Sequence, residues 1–343
     1  MMQQVVLPFI IAILISLIMT PLVRKFAFKV GAIDIPKDER RVHKEPMPLL
    51  GGLAIYFAVV VTSLIFIPLD KTLISVLVGG TIILISGIID DMKGLSPKLK
   101  IIFQLLAGLS LIAGDVKVDF VTNPFTVNNV VIYLNWLSIP ITLFWVVGIT
   151  NTLNLIDGLD GLAAGVAMIS ALSLTFVADK FGYTMVILVS AIVAGSTLGF
   201  LPYNFNPAKI FMGDTGALFL GFMLAAISIE GVMKSVATIA IIVPIIILGV
   251  PIFDTTFAIF SRLLSGRSIM SADKGHLHHR LLARGYSQRK TVLILYAISG
   301  AFGVFAVLIA KANSKQAVYL SVIMFVVTVL LAIKFGLFGN KKD

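Results

Sequence analysis

The sequence predicts an all-α membrane protein with about eleven transmembrane helices. Its 343 residues are 58% hydrophobic and only 13% charged, whereas a soluble domain is about one quarter charged. The mean hydropathy is +1.04, and apolar runs of about 20 residues, long enough to span a bilayer, recur along the chain. These observations exclude an ordinary soluble protein. They predict one integral-membrane domain over residues 1–343.

The apolar runs define the predicted helices in chain order. The fourth and sixth are short, and the ninth contains Pro244 and Pro251, which predict a kink. Residues 115–135, between the fourth and fifth runs, alternate apolar and polar side chains and predict a small outer β-hairpin. The predicted spans are residues 4–23, 50–68, 72–89, 101–114, 136–153, 162–178, 183–201, 216–232, 236–260, 291–310 and 317–338.

Lys and Arg concentrate in alternate loops, at residues 24–44, 93–100, 209 and 262–290 and in the tail. By the positive-inside rule, the N-terminus lies outside and the C-terminus is cytoplasmic. The net charge of +10 is therefore explained by the orientation of the chain and by affinity for anionic substrates or lipid headgroups. It does not indicate nucleic-acid binding. No cleavable signal is evident, and the absence of Cys excludes disulfides and thiolate metal sites. We expect a multi-pass plasma-membrane protein.

The stretch N-T-L-N-L-I-D-G-L-D-G at 151–161 ends the fifth apolar run. Asn151, Asn154, Asp157 and Asp160 recur every third residue, which would spread them around a regular helix. The glycines permit a break that aims both carboxylates at one place. One polar residue here would suit a helix cap, but acids beside an apolar run are costly and call for a partner. Four polar groups in register favour a divalent cation or a phosphorylated ligand.

Five carboxylates from three segments fall at the predicted cytoplasmic surface. They are Asp90 and Asp91 after the third helix, Asp157 and Asp160 after the fifth, and Asp214 before the eighth. Each alone is explained by an ordinary helix-end charge or an N-cap, but that explanation weakens when three helices share it at one depth. Oxygen ligands without Cys favour Mg²⁺, with Mn²⁺ as a substitute, over zinc.

All four histidines, His43, His276, His278 and His279, lie in predicted cytoplasmic loops. The segment D-K-G-H-L-H-H-R at 273–280 combines imidazoles with basic groups and suits an anionic ligand. A metal site and a basic loop with incidental histidines are the alternatives, and no HExxH helix is present.

Gly51 and Gly52 either allow close approach of a substrate or ease helix packing.

Four motifs follow one another along the chain. They are D-D at 90–91, N-x-x-N-x-x-D-G-x-D-G at 151–161, N-P-A-K-I-F-M-G-D-T-G at 206–216 and H-x-H-H-R at 276–280. In this order they resemble the motifs of the polyprenyl-phosphate N-acetylhexosamine-1-phosphate transferases, a membrane superfamily of glycosyltransferase family 4 type, and the resemblance covers nearly the whole chain. The histidine motif and Pro251-Ile-Phe-Asp254 are similar to members that use UDP-N-acetylglucosamine (UDP-GlcNAc), such as the wall teichoic acid initiator. Members that use UDP-MurNAc-pentapeptide carry three consecutive histidines instead.

The resemblance implies transfer of GlcNAc-1-phosphate from UDP-GlcNAc to undecaprenyl phosphate, with release of UMP, at the start of teichoic acid or related glycan synthesis. Another UDP-HexNAc donor or UDP-MurNAc-pentapeptide is the alternative within the family, and a homodimer is one compatible assembly. A secondary transporter is the alternative from another class, although its site would lie near the midplane between inverted repeats. An intramembrane metalloprotease would need the absent HExxH motif.

The resemblance also implies roles for individual residues. Asp214 is the first candidate for a metal ligand, Asp90 or Asp91 is the second, and all three are candidate catalytic residues. Either Asp90 assists direct attack by the lipid phosphate, or an aspartate attacks first. Since a phosphate monoester is largely a dianion at pH 7, direct attack is favoured. Phe211 matches the residue on which the family stacks uracil. The other candidate substrate-binding residues are Asn151, Asn154, Asp157, Asp160, His276, His278, His279 and Arg280.

Overall fold

The computed structural model describes residues 2–35, 46–122, 131–233, 241–264, 276–312 and 314–334. These residues form helices joined by short loops and two small antiparallel ladders. The strands are β1 (Ile33–Asp34), β2 (Met47–Pro48), β3 (Phe120–Thr122) and β4 (Val131–Tyr133). The helices are α1 (Met2–Val30), α2 (Gly52–Phe66), α3 (Lys71–Lys93), α4 (Pro97–Ala113), α5 (Ser138–Leu155), α6 (Leu162–Phe181), α7 (Thr184–Asn204), α8 (Gly213–Ser228), α9 (Ile242–Ile247), α10 (Gly249–Leu264), α11 (Leu277–Ala283), α12 (Gln288–Lys311) and α13 (Ser314–Lys334).

Seven helices in the described part of the chain are long and apolar enough to cross a membrane. They are α1, α3, α5, α6, α7, α8 and α12, where α5 is extended by a 3₁₀ turn and α8 by a π-helical turn. Shorter apolar helices lie at Gly52–Phe66, Gly249–Ile259 and Gln316–Thr328. The polytopic helical architecture is therefore confirmed. The number of eleven spans and the orientation stay predictions.

The predicted ninth span is divided into two helices rather than kinked. α9 ends at Ile247 and α10 begins at Gly249. Pro244 and Pro251 each lie in the first turn of their own helix, where the missing N–H leaves no intrahelical bond unmade. Two prolines at this spacing therefore start two helices. The beginning of the predicted span, at residues 234–240, lies outside the described residues.

The predicted outer hairpin is confirmed in its strands. β3 and β4 pair antiparallel, with Phe120 opposite Tyr133, and the two rings meet edge to face at 6.1 Å. The connecting residues 123–130 lie outside the described part of the chain. The ladder between β1 and β2 joins the two ends of the loop after α1. That loop contains His43, which also lies outside the described residues.

α8 is the most buried helix of the seven, and its first turn carries Asp214. Its residues from Thr215 to Ser228 are all buried, and it packs against α2, α3 and α5. Glycines let the backbones approach closely. A Cβ on Gly87 of α3 would lie 2.4 Å from the Cα of Thr215, and one on Gly52 would lie 2.2 Å from the Cα of Gly216. The structure thus supports the packing role of Gly52.

We expect Gly52→Ala to lower the thermal unfolding midpoint of the detergent-solubilised protein. The added methyl group would overlap the α8 backbone, and overpacking of this kind costs about 1–3 kcal/mol. Gly148→Ala in α5 is the matched control, because nothing lies within 4 Å of its added Cβ. The control should be neutral or more stable by up to about 1 kcal/mol. Equal midpoints for the two variants would contradict the close contact between α2 and α8.

Candidate active site

A cavity of about 550 Å³ lies beside the start of α8, within the usual volume range of small-ligand sites. Its wall combines the ends of α3, α5 and α7 with the first turns of α8 and α12 and the segment 156–161. Of the residues singled out from the sequence, it is lined by Asp91, Asn154, Asp157, Asp160, Phe211, Asp214 and His279. The predicted convergence of separate acidic segments is therefore observed.

Asp214 accepts hydrogen bonds from two other helices. Its Oδ1 accepts from Nδ2 of Asn154 at 3.0 Å, and its Oδ2 accepts from Nζ of Lys100 at 2.7 Å. Lys100, in the first turn of α4, also forms an ion pair with Asp90. One ammonium group therefore bridges two of the candidate catalytic carboxylates. From the sequence, Lys100 indicated only the orientation of the chain in the membrane.

Asp91 caps the N-terminus of α8 from the end of α3. Its Oδ1 accepts from the backbone N–H of Asp214 at 2.9 Å, and its Oδ2 accepts from the backbone N–H and the hydroxyl of Thr215 at 3.0 and 2.6 Å. Gly213 permits this contact, because its φ is +70° and a Cβ there would lie 2.4 Å from Asp91 Oδ2. Asp91 thus positions Asp214 through the helix terminus.

Asp90 lies in the last turn of α3 and is held by the loop between α3 and α4. Its Oδ1 accepts from the backbone N–H of Leu95 at 2.6 Å, while Oδ2 faces Lys100. Its side chain is only 10% exposed, and it does not line the cavity. The structure places Asp90 behind Lys100 as its counter-ion.

Asn151 is paired within the helical bundle and does not line the cavity. Its side-chain amide exchanges two hydrogen bonds with that of Gln104 in α4, at 2.7 and 3.2 Å. It also donates to the backbone carbonyl of Val147 at 2.8 Å. The side-chain amide of Asn151 therefore joins α4 to α5. The substrate-binding role implied for Asn151 stays a prediction, and the structure gives the residue a packing role.

The helix break predicted at the glycines is present as the segment 156–161. Tyr296 of α12 donates to the carbonyl of Gly161, and Asn204 accepts from the Gly161 N–H at 3.1 Å. Asp160 Oδ2 accepts from Asn206 Nδ2 at 2.9 Å and from the Ala208 N–H at 3.1 Å. Contacts from α7, α12 and the loop before α8 therefore fix the segment.

The carboxylate of Asp157 projects from this segment without a hydrogen bond or an ion pair to any residue that the structure describes. Burial raises the pKa of Asp157 to about 8, and the negative charges of nearby cavity carboxylates add to the increase. A cation entering the cavity would favour the ionised form. Asp157 is thus the candidate carboxylate whose charge is least compensated by the protein.

Phe211 is held at the cavity by backbone pairing with the end of β2 and the residues that follow it. Its N–H donates to the carbonyl of Pro48 at 2.9 Å, and its carbonyl accepts from the N–H of Gly51 at 3.0 Å. The contact is extended by a 3.0 Å bond from Gly52 N to Met212 O. The connection between α1 and α2 thereby fixes the aromatic ring at the cavity wall.

The histidine motif lies against the segment 156–161 but supplies only one residue to the cavity lining. Asp254 of α10 pairs with His276 Nδ1 at 2.8 Å and accepts from the N–H of Leu277. His278 packs on Gly158, whose added Cβ would lie 2.6 Å from the imidazole Nε2. His279 lines the cavity, whereas His276, His278 and Arg280 do not. Asp254 thus serves as a buried partner of His276.

Lowering the pH should destabilise the protein through His278. Burial lowers the pKa of His278 to about 4, below its ordinary value of about 6.5. The unfolded chain therefore binds a proton that the folded chain lacks, and stability falls as the pH drops from about 6.5 to about 4. Asp157 opposes this trend, because a raised carboxyl pKa favours the folded state at lower pH.

The measurement is the difference between wild type and His278→Gln in thermal unfolding midpoint at pH 7 and pH 5. Since Asp157 is common to both proteins, subtraction removes its contribution. We expect the midpoint of the wild type to fall more than that of the variant. Identical shifts would contradict a neutral buried His278.

The fold and the cavity together define a polytopic membrane protein with an acidic site bridged by a lysine. A family model described as "Glycosyl transferase family 4" matches residues 73–232. The chain is also 43% identical to a probable undecaprenyl-phosphate N-acetylglucosaminyl 1-phosphate transferase of Bacillus subtilis, over 99% of this chain and 94% of the relative. The chain therefore belongs to glycosyl transferase family 4.

Two further relatives are also named as transferases, but their names give a different lipid or a different transferred group. A decaprenyl-phosphate N-acetylglucosaminephosphotransferase of Mycobacterium tuberculosis is 35% identical over 94% of this chain and 87% of the relative. A phospho-N-acetylmuramoyl-pentapeptide-transferase of Halalkalibacterium halodurans is 32% identical over 90% of this chain and 96% of the relative. The family predicted from the four motifs is thus confirmed, which sets aside the transporter and the metalloprotease.

Proposed function

We propose that this protein transfers GlcNAc-1-phosphate from UDP-GlcNAc to undecaprenyl phosphate at the cytoplasmic membrane face. The products are undecaprenyl diphosphate-linked GlcNAc and UMP, and the reaction would begin a cell-surface glycan such as teichoic acid. The observation that carries the proposal is Asp214, placed in the cavity by Asp91 and paired with Lys100 and Asn154. The 43% identity to a relative named for this transfer supports the choice of donor.

The cavity residues fit a Mg²⁺ ion, with Mn²⁺ as a substitute. Among the described residues, no group of three or more His, Asp or Glu side chains is arranged to enclose a metal. Mg²⁺ commonly takes only one or two carboxylates and completes its shell with water and substrate phosphates. Asp214 is the candidate ligand, and Asp157 adds an uncompensated carboxylate in the same cavity. When bound, the ion would neutralise phosphate charge.

The reaction exchanges one phosphoanhydride bond for another. An oxygen of the lipid phosphate attacks the sugar-linked phosphorus of UDP-GlcNAc, and the bond from that phosphorus to the bridging oxygen breaks, so UMP leaves with the bond electrons. No proton is required when the acceptor is a dianion. The protein has to hold two anions together and offset their repulsion. Lys100, which does not line the cavity, contributes by compensating the negative charge of Asp214 beside the bound anions.

Direct attack is favoured by the position of Asp90. Its two oxygens already face Lys100 and the N–H of Leu95, so the side chain acts on the site by holding Lys100. Asp90 therefore does not have to attack the phosphorus or remove a proton. Isolation of a phosphorylated enzyme after incubation with UDP-GlcNAc alone would contradict direct attack.

The experiment that tests the function is UMP release by the purified protein in detergent. The mixture contains UDP-GlcNAc, Mg²⁺ and a short polyprenyl phosphate, and EDTA is added to a parallel sample. We expect release that depends on the lipid and stops with EDTA. If folded protein gives no release with UDP-GlcNAc but reacts with UDP-MurNAc-pentapeptide, as the name of the H. halodurans relative would allow, the donor assignment is wrong and the chemistry stands.

We expect Lys100→Met to lower the rate of UMP release by about a hundredfold, the usual effect of removing one charged group that stabilises a transition state. Lys117→Met is the matched control, because Lys117 also lies between two carboxylates, Asp115 at 3.1 Å and Asp119 at 3.6 Å, before the outer hairpin. Both variants remove one bridging ammonium group. Equal activity of the two would show that Lys100 only stabilises the fold.

A further inference from the structure

The last two turns of α1 carry a basic cluster, defined by Arg24, Lys25 and Lys29. All three side chains are exposed, and none forms an ion pair with a carboxylate of the residues that the structure describes. The chain before Arg24 contains no Asp or Glu. Lys25 and Lys29 lie four positions apart on one face of the helix, where like charges are destabilising. An anion from outside the chain would offset this repulsion.

The length of α1 places the basic cluster at the depth of phospholipid headgroups. The run from Val5 to Val23 has no charged residue and extends about 28 Å at 1.5 Å per residue. That length is close to the hydrocarbon thickness of a bilayer, about 30 Å, and the basic cluster follows the run directly. Leu22 and Phe26, in the same part of the helix, are exposed apolar residues and suit the boundary between acyl chains and headgroups.

Charge and depth together define the partner of the basic cluster. Lys and Arg residues next to a membrane span are attracted by anionic lipid surfaces, and a phosphate group accepts charge-assisted hydrogen bonds from them. An acidic protein would match the charge but would not account for the exposed apolar side chains of Leu22 and Phe26. The partner that fits both features is an anionic phospholipid.

Arg24 connects the basic cluster to the segment 206–212, which leads into the turn that carries Asp214. Its Nε donates to the carbonyl of Lys209 at 3.0 Å, and its Cζ lies 5.4 Å from the centroid of the Phe28 ring. A guanidinium group has five N–H donors. The four donors on the two Nη atoms therefore remain for a phosphate, while Nε holds the segment.

We propose that Arg24, Lys25 and Lys29 bind the phosphate of an anionic phospholipid in the leaflet at this end of α1. The bound phosphate restricts the long side chain of Arg24 and so stabilises its hydrogen bond to Lys209. The anionic lipid content of the membrane thereby acts on the segment that precedes α8. Binding of the lipid is independent of the proposed function, whereas its effect on turnover rests on that function.

Two double variants separate a defined site from the general basic character of this end of the protein. Arg24→Gln/Lys25→Gln removes two charges of the basic cluster. Lys93→Gln/Lys98→Gln is the matched control, because it removes two exposed lysines at the end of α3 and the start of α4. Both double variants change the net charge equally. All proteins are purified at full length and compared by thermal unfolding.

The measurement is retention of phosphatidylglycerol by the protein in detergent, counted by native mass spectrometry and repeated with phosphatidylcholine. We expect wild type and the control to retain phosphatidylglycerol in preference. Arg24→Gln/Lys25→Gln should bind it about thirtyfold more weakly, as for the loss of two cations at a membrane surface. Equal losses in the two double variants, or no preference for the anionic lipid in wild type, would overturn the proposal.

A short polyprenyl phosphate distinguishes the two lipids that could supply the phosphate. We expect Arg24→Gln/Lys25→Gln to retain the polyprenyl phosphate as wild type does. If that variant loses the polyprenyl phosphate and keeps phosphatidylglycerol, the basic cluster belongs to the acceptor site and the proposal is wrong.

Arg24→Lys tests the link to the segment 206–212. Lysine keeps the charge but lacks the planar group that can contact a carbonyl and a phosphate together. In vesicles, we expect UMP release by wild type to rise about fivefold when phosphatidylglycerol replaces phosphatidylcholine, as for one hydrogen bond. Arg24→Lys should still retain phosphatidylglycerol but lose this rise. Equal wild-type rates in both vesicles would overturn the link, whereas failure of the proposed function would give no UMP in either vesicle and leave lipid retention intact.

Discussion

Asp214→Asn is expected to lower lipid-dependent UMP release by at least about a thousandfold, a larger effect than that of Lys100→Met. The asparagine oxygen can still accept from Asn154, so the local geometry is preserved. The negative charge is lost, and with it the attraction for Lys100 and for a divalent cation. Rates are measured with saturating UDP-GlcNAc and polyprenyl phosphate.

The same substitution should leave the unfolding midpoint nearly unchanged. Asp214 lies near other carboxylates in the cavity, and removing its charge relieves their repulsion while it weakens the ion pair with Lys100. Asp179→Asn, near the C-terminus of α6, changes an aspartate outside the cavity lining and should retain full activity. Activity of Asp214→Asn within tenfold of wild type would remove Asp214 from the proposed reaction.

Asp91→Ala is expected to lower both stability and activity. The substitution removes three hydrogen bonds to the first turn of α8, which together correspond to about 2–3 kcal/mol. Asp91→Asn should lose less, because its amide oxygen can still accept from one of the backbone N–H groups. The measurement combines thermal unfolding in detergent with UMP release at increasing Mg²⁺ concentration.

The two roles given to Asp91 lead to opposite results in that experiment. If Asp91 acts by capping α8, the residual activity of Asp91→Asn has the Mg²⁺ requirement of wild type. If Asp91 is also a metal ligand, that requirement rises, in addition to the loss of stability from the weakened cap. Asp70→Ala is the control for a lost cap, because Asp70 accepts from the N–H of Leu73 at 2.8 Å at the other end of α3. It should lose stability without loss of specific activity.

The helical architecture and the acidic site could be predicted because both follow from local pattern. Apolar runs of membrane-spanning length identify helices, and Asp residues from three segments at one predicted depth call for a shared ligand. The glycines of the segment 156–161 also indicated the break that places Asp157 and Asp160. These features depend on residues close together in the chain.

The partners of the acidic residues could not be predicted from those patterns. Lys100 and Asp214 are 114 positions apart. A lysine at the start of a helix is equally well explained by the orientation of the chain in the membrane. Asn151 fitted the three-residue spacing of the site, but its side-chain amide is hydrogen-bonded to Gln104 and does not face the cavity. Gln288, which lines the cavity from the start of α12, gave no signal, because a glutamine in the first turn of a helix is ordinary. Such pairings depend on how helices pack, which single-sequence patterns do not specify.

The bond from Tyr296 to Gly161 links positions 135 residues apart and has a consequence for biosynthesis. At a synthesis rate of about 5–20 residues per second, α6 emerges from the ribosome several seconds before α12 exists to brace it. Before that interval ends, the nascent chain contains all five carboxylates, because Asp214 also precedes α12. A product that terminates before α12 would therefore display the family's acidic motifs without the helix that holds one of them in place.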